Sequence, residues 1–183
     1  MDKQGFYSTE LNHIKNEEVR NWTIKALNSL PDYVFYIAAS STGKYHPSYA
    51  LGDGGLVRHT KAATRIAIDL FRLYSFTDEE KDVILSALLL HNGKKSGDNA
   101  NGYTVHDHPV LVCNHLKQQE FFNDIPQANQ ICEGIISHMG QWTTSNKSSV
   151  VLPKPTTRVQ KYIHLCDYLA SRKFIEFNFD VVL

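Results

Sequence analysis

No stretch of this 183-residue chain approaches the roughly 20 consecutive apolar residues that a membrane-spanning helix requires. The N-terminal MDKQGFYSTELNHIKNEE is too polar for a secretory leader. Neither charge is in excess: 19 Lys and Arg balance 19 Asp and Glu, so global charge gives no basis for nonspecific nucleic-acid binding and leaves only a local basic patch open. Cysteine is scarce. Cys113, Cys132 and Cys166 are odd in number, widely spaced and never arranged as CxxC, which excludes a zinc knuckle and a disulfide framework. The expectation is three buried thiols in a cytoplasmic protein. No Rossmann or P-loop glycine pattern is present. Internal repeats, low-complexity tracts and linkers are also absent, so residues 1–183 read as one domain. With 42% hydrophobic and 21% charged residues, that domain has enough apolar material for a sizeable core.

Helical periodicity dominates what is there. Residues 16–30 place Val19, Trp22, Leu27 and Leu30 on one side before Pro31 stops the helix. A long connection over 32–55 ends in LGDGG. A helix over 56–74 follows, with His59, Ala63, Ile66, Leu70 and Leu73 on a shared face. Thr77 and Glu80 form a capping-box signature for a helix running to His91. Residues 92–107, rich in Gly, Asn, Asp and Lys, read as a loop. Pro109 suits the first turn of the next helix, opened by His108. A further helix from near Pro126 carries Ile131, Ile135 and His138, and the last long helix, 156–173, carries Val159, Ile163, Asp167 and Ala170 on one face. The tail FIEFNFDVVL alternates as a short strand or packed extended segment would. The predicted class is an all-α bundle.

The unusual abundance is histidine, nine in all. His59 lies on an apolar helical face, His91 closes a helix, His108 opens one, and His138 ends another. Asp167 sits among apolar neighbours, where an unpaired carboxylate is costly. Any one of these is most simply a satisfied core residue, and Asp167 could equally cap a helix or pair with Arg158 or Arg172. Together, four histidines and an aspartate converging inside a bundle suit Mn, Fe, Ni or Zn.

Five ordered segments carry a family resemblance. HPSYALGDGGLVRHTKAA is similar to the GGLLEHT segment of HD-type 3′–5′ exoribonucleases, and ALLLHNGKKSG resembles the ALLHDIGK segment of HD-domain metal-dependent phosphohydrolases. HDHPVLVCNHL, IISHMGQW and YIHLCDYLASR resemble, in order, the segments that supply an extra histidine, the I-x-x-HH/HHG histidine and the closing aspartate. The likeness spans about residues 46–173. It implies an HD-domain-like helical bundle holding two divalent ions. His59, His91, residue 92 and Asp167 would hold the first; residue 92, His108 and His138 would hold the second, with residue 92 bridging. His106 or His115 stand as alternatives to His108. The resemblance also implies that Lys95, and with it Lys94, faces the phosphoryl group, and that His46 touches phosphate from the lip of the site. The loop order departs from the family: Gly93 comes one position early and Lys94 stands where the family has glycine.

The larger departure is Asn92, at the position of the family's defining aspartate. A carboxamide is neutral and offers one oxygen, so it bridges two cations poorly. Three histories fit: a replacement made to trap substrate, an inactive natural relative, or a natural variant with a reorganised site. The loops expected at the mouth contain Lys44, Tyr45, Tyr49, Lys94, Lys95, Tyr103, Gln141 and Trp142. Cations and aromatic faces together suit a phosphorylated, base-bearing ligand. The expected function is phosphoester hydrolysis on a nucleotide, cyclic (oligo)nucleotide or short single-stranded nucleic acid, impaired at Asn92. The alternative is an inactive scaffold of the same kind that binds or sequesters a nucleotide.

Overall fold

Two capping boxes and one glycine pair set where the principal helices begin. Thr77 accepts from the Glu80 amide while Glu80 accepts from the Thr77 amide, and Thr157 and Gln160 do the same further on. Before the central helix, Gly54 takes φ +68°, and a Cβ on Gly55 would sit 2.3 Å from the Ala50 carbonyl oxygen. The LGDGG run therefore serves a tight entry that side chains would block.

The computed structural model describes residues 2–40, 42–98 and 103–175. Among these are seven α-helices: α1 (Ser8–Leu11), α2 (Glu17–Ser29), α3 (Gly55–Leu70), α4 (Asp78–Leu90), α5 (His108–Lys117), α6 (Ala128–Ser137) and α7 (Arg158–Ala170). No strand occurs among the described residues, so the all-α expectation holds. No helix among them is long and apolar enough to cross a membrane. Cys113, Cys132 and Cys166 are free and buried. Of the tail, residues 176–183 lie outside the described residues.

Helix α4 is the axis of the bundle. Asp82 through Leu90 are all buried, and α2, α3, α6 and α7 pack around it. A helix hydrophobic on every side belongs in such a position. Helix α3 also packs along α7, and α5 along α6. One expected core residue is misplaced: Leu73 is 69% exposed. The α-helix ends at Leu70 and tightens into a 3-10 turn over Phe71–Leu73, which rotates Leu73 off the buried stripe.

A buried ion pair ties α1 to α3. Glu10 is fully buried, and Arg65 Nε donates to its Oε1 at 3.0 Å. Removing the cation strands the carboxylate in the core. Arg65→Leu is expected to cost about 3 kcal/mol, read as a lowered urea midpoint at unchanged slope, with much of the loss recovered in Glu10→Met/Arg65→Leu.

Candidate metal centre

The helices deliver their polar side chains at their ends. His59 lies in the second turn of α3, His91 caps the C-terminus of α4, His108 is the first residue of α5, and His138 caps the C-terminus of α6. Asp167 lies in the last turn of α7. All four histidines are buried.

Main-chain carbonyls set three of the four tautomers. His91 Nδ1 lies 2.6 Å from Leu88 O, His108 Nδ1 lies 2.7 Å from Val105 O, and His138 Nδ1 lies 2.6 Å from Ile135 O. A carbonyl only accepts, so each Nδ1 carries the proton and each neutral ring presents a bare Nε2. Those nitrogens face other electron-rich atoms. His108 Nε2 and His138 Nε2 are 3.4 Å apart, and His91 Nε2 is 3.3 Å from Asp167 Oδ1. His59 Nε2 is 2.9 Å from the same carboxylate oxygen. Ligands at about 2.0–2.2 Å from one transition-metal ion lie roughly 3–4 Å from each other. Donor atoms of His59, His91 and Asp167 all fall within 4.8 Å of one another, so this cluster can hold a metal ion. A cation also removes the repulsion between bare nitrogens. The ring Nδ1 of His59 is buried without a hydrogen-bond partner, as is that of His46.

Protonation states agree with this reading. Burial pushes His59 below the ordinary histidine range and His108 well below it, and brings His138 and His46 down to about 3. Despite its burial, Asp167 is held well below the usual carboxylate range, with the His59 hydrogen bond the leading cause that lowers it.

Asn92 is buried beside His91 and Lys95. Lys95 Nζ donates to Asn92 Oδ1 at 2.9 Å. An ammonium has no acceptor, so this bond fixes which end of the carboxamide is oxygen. The NH2 end therefore faces His91, donating to Nε2 at 2.5 Å. The asparagine thus occupies the lone pair that His91 would offer a cation, and its own oxygen is already taken by Lys95. Burial lowers the Lys95 ammonium below its ordinary range, with Asp167 opposing the shift.

A cavity of about 430 Å³ opens onto the cluster, and Lys95, His46 and Trp142 line it together with His59, His138 and Asp167. His46 leans on His59 with ring centroids 5.3 Å apart. Five residues expected at the mouth, Lys44, Tyr49, Lys94, Tyr103 and Gln141, are not in its wall. Lys94 is drawn to Asp98, one turn on. Lys44 lies 5.0 Å over the Tyr45 ring, and Tyr103 is 69% exposed. In the same loop Gly93 packs so closely on Leu30 that a Cβ would sit 2.6 Å from its side chain.

The alternatives to His108 are engaged elsewhere, His106 with Thr143 O and His115 with Ser29 O. Arg158 pairs with Glu80 rather than with Asp167. His164 Nδ1 bonds His138 O at 2.8 Å. Its ring fills the space of a Cβ on Gly140, which has φ +63°. Sequence reasoning assigned no site role to Tyr168, Ser171 and Arg172. Ser171 and Arg172 join the cavity wall just beyond Asp167, and the one-turn spacing from Asp167 to Ser171 was the available signal. No family model, no curated protein and no solved structure matches the chain.

Proposed function

We propose that this chain is a metal-dependent phosphohydrolase or phosphodiesterase of the HD type, acting on a nucleotide, cyclic (oligo)nucleotide or short single-stranded nucleic acid in the cytoplasm, and impaired by Asn92. The observation that carries the reading is the convergence of bare imidazole nitrogens and one carboxylate beside a cavity lined by a lysine and aromatic rings. His59, His91 and Asp167 would hold one ion of Mn, Fe, Ni or Zn, and His108 with His138 would hold a second, residue 92 lying between them. Such ions, when bound, polarise a phosphoryl oxygen and supply hydroxide at neutral pH.

The chain's own groups do the rest. Leu88, Val105 and Ile135 carbonyls hold three imidazoles in the ligating tautomer. Lys95 places a cation in the cavity wall, suited to charge accumulating on a phosphoryl group. Trp142, 44% exposed as a residue, offers an aromatic ring on which a base can stack.

A second reading, a nucleotide-binding scaffold without turnover, is favoured by the Asn92 hydrogen bonds that occupy His91 and Lys95. One experiment separates the two. Asn92→Asp, supplied with Mn or Ni, is expected to cleave at least one member of a panel of nucleoside monophosphates, cyclic nucleotides, dinucleotides and labelled short oligonucleotides. The rate should exceed that of the Asn92 chain by at least about a hundredfold. No turnover across the panel and both metals would sink the hydrolase reading and leave the binding one.

A further inference from the structure

The cavity wall continues past Asp167 into a group that the metal cluster does not use. Ser171, four residues after Asp167, caps the end of α7, and Arg172 follows it. Both residues line the same cavity as Lys95 and Asp167. Arg172 is held from behind. Its Nε donates to Tyr168 O at 3.2 Å and to Ser171 Oγ at 3.3 Å, and Nη2 donates to Ser171 Oγ at 2.8 Å. Its guanidinium lies 4.2 Å over the Tyr168 ring and 6.0 Å from the Trp142 ring. Trp142 in turn stacks on Tyr168, with centroids 5.9 Å apart and planes 16° apart. Among the described residues no carboxylate pairs with Arg172, and Nη1 makes no hydrogen bond.

This is an unusual way to hold an arginine if it only serves the fold. An arginine needed for stability is normally neutralised by a carboxylate or left to trail in solvent. Here the side chain is immobilised on an aromatic shelf, with its ordering already accomplished and its charge unspent. A fixed guanidinium edge suits one partner class above others, a phosphate or a similar planar array of anionic oxygens. The neighbouring indole suits a base. Arg172 follows the end of α7 that carries Asp167, so its guanidinium and the metal cluster are two positions on one cavity wall.

We propose that Arg172, mounted on Tyr168 and Trp142, is a specificity subsite that takes a second phosphate of a base-bearing ligand, so that the preferred ligand carries two separated phosphates, as dinucleotides and nucleoside bisphosphates do. The proposal rests on the phosphohydrolase-type reading of the cavity, since that reading places the first phosphate at the cluster.

Equilibrium binding to the unaltered Asn92 chain tests it without turnover. The probes are adenosine 5′-monophosphate and adenosine 3′,5′-bisphosphate, each titrated in the presence of Mn. The bisphosphate is expected to bind at least about tenfold more tightly than the monophosphate, the size of one charge-assisted contact. Arg172→Gln is expected to collapse that ratio toward one. Trp142→Ala is expected to weaken the bisphosphate against an adenine-free probe, inorganic pyrophosphate, by a similar factor. A preference that survives Arg172→Gln, or no preference in the parent chain, overturns the subsite. The two readings fail separately. Loss of the preference in Arg172→Gln with no turnover by Asn92→Asp upholds the subsite and removes the hydrolase. Turnover by Asn92→Asp with an unchanged ratio does the reverse.

Discussion

Asn92→Asp is expected to bind two transition-metal ions per chain where the parent binds at most one, and to bind the first at least tenfold to a hundredfold more tightly. Two separate effects lead there. The parent carboxamide donates into His91 Nε2, so an ion must displace that hydrogen bond before it can use His91. Its oxygen is held by Lys95 and is not free to span two cations. A carboxylate of the same shape removes the donor, frees the imidazole and adds a negative charge beside His91. Changes to groups that merely support a metal ligand commonly cost ten- to a hundredfold in affinity, and residue 92 touches a ligand directly. Elemental analysis after dialysis, beside a calorimetric titration with Mn, reads both numbers. Equal stoichiometry and equal affinity in the two chains would show that residue 92 does not bridge. Asp167→Asn in the Asn92→Asp background should return the first-ion affinity to a low value, because one of the three mutually close donors is then lost.

The parts of this arrangement that were legible in the sequence are those governed by local rules. Capping signatures at Thr77, the helix-opening His108–Pro109 pair and the apolar stripes gave α2 to α7, though not the short α1, to within a few residues, because each is decided by neighbours one turn away. The placing of His59, His91, His108, His138 and Asp167 at helix ends and inner faces followed from the same periodicity. What could not be read is what depends on the third dimension. Leu73 looked buried because periodicity continues through it, while the backbone tightens at Phe71 and turns it outward. Lys94 and Lys95 are adjacent letters, yet Lys95 lines the cavity and Lys94 is taken by Asp98, a division set by the path of the loop in space. The blocking role of Asn92 needed the position of a lysine ammonium, and the Arg172 shelf needed a loop tryptophan to meet the end of α7.

The same buried imidazoles predict how the metal-free protein responds to acid. A histidine in the unfolded chain titrates near 6.5. In the fold, His138 titrates at about 3 and His108 well below the usual range, both because burial penalises the charged ring. His46 is also down at about 3, but it lies at the cavity lip, where solvent moderates its contribution. Between the two values the unfolded chain holds protons that the folded chain refuses. Lowering the pH therefore favours unfolding: the stability these groups permit is complete above about 6.5 and is lost as pH falls toward the folded values. Each fully buried histidine can change the folding equilibrium by up to about tenfold per pH unit in that window, so His108 and His138 together give up to about a hundredfold. Asp167 acts lower. Its folded value lies below the ordinary carboxylate range, so its contribution is present above about 3.8 and disappears only beneath that. Urea midpoints of chelator-treated protein at pH 7.5, 6.5, 5.5 and 4.5 should accordingly fall steeply between 6.5 and 4.5, before carboxylates titrate. A midpoint that stays level from 7.5 to 5 would mean that these rings accept protons inside the fold, and the bare-nitrogen geometry would be wrong. Saturating Mn is expected to raise the whole curve, because it binds only the folded site, and to raise it least at the acidic end, where each ion must displace ligand protons.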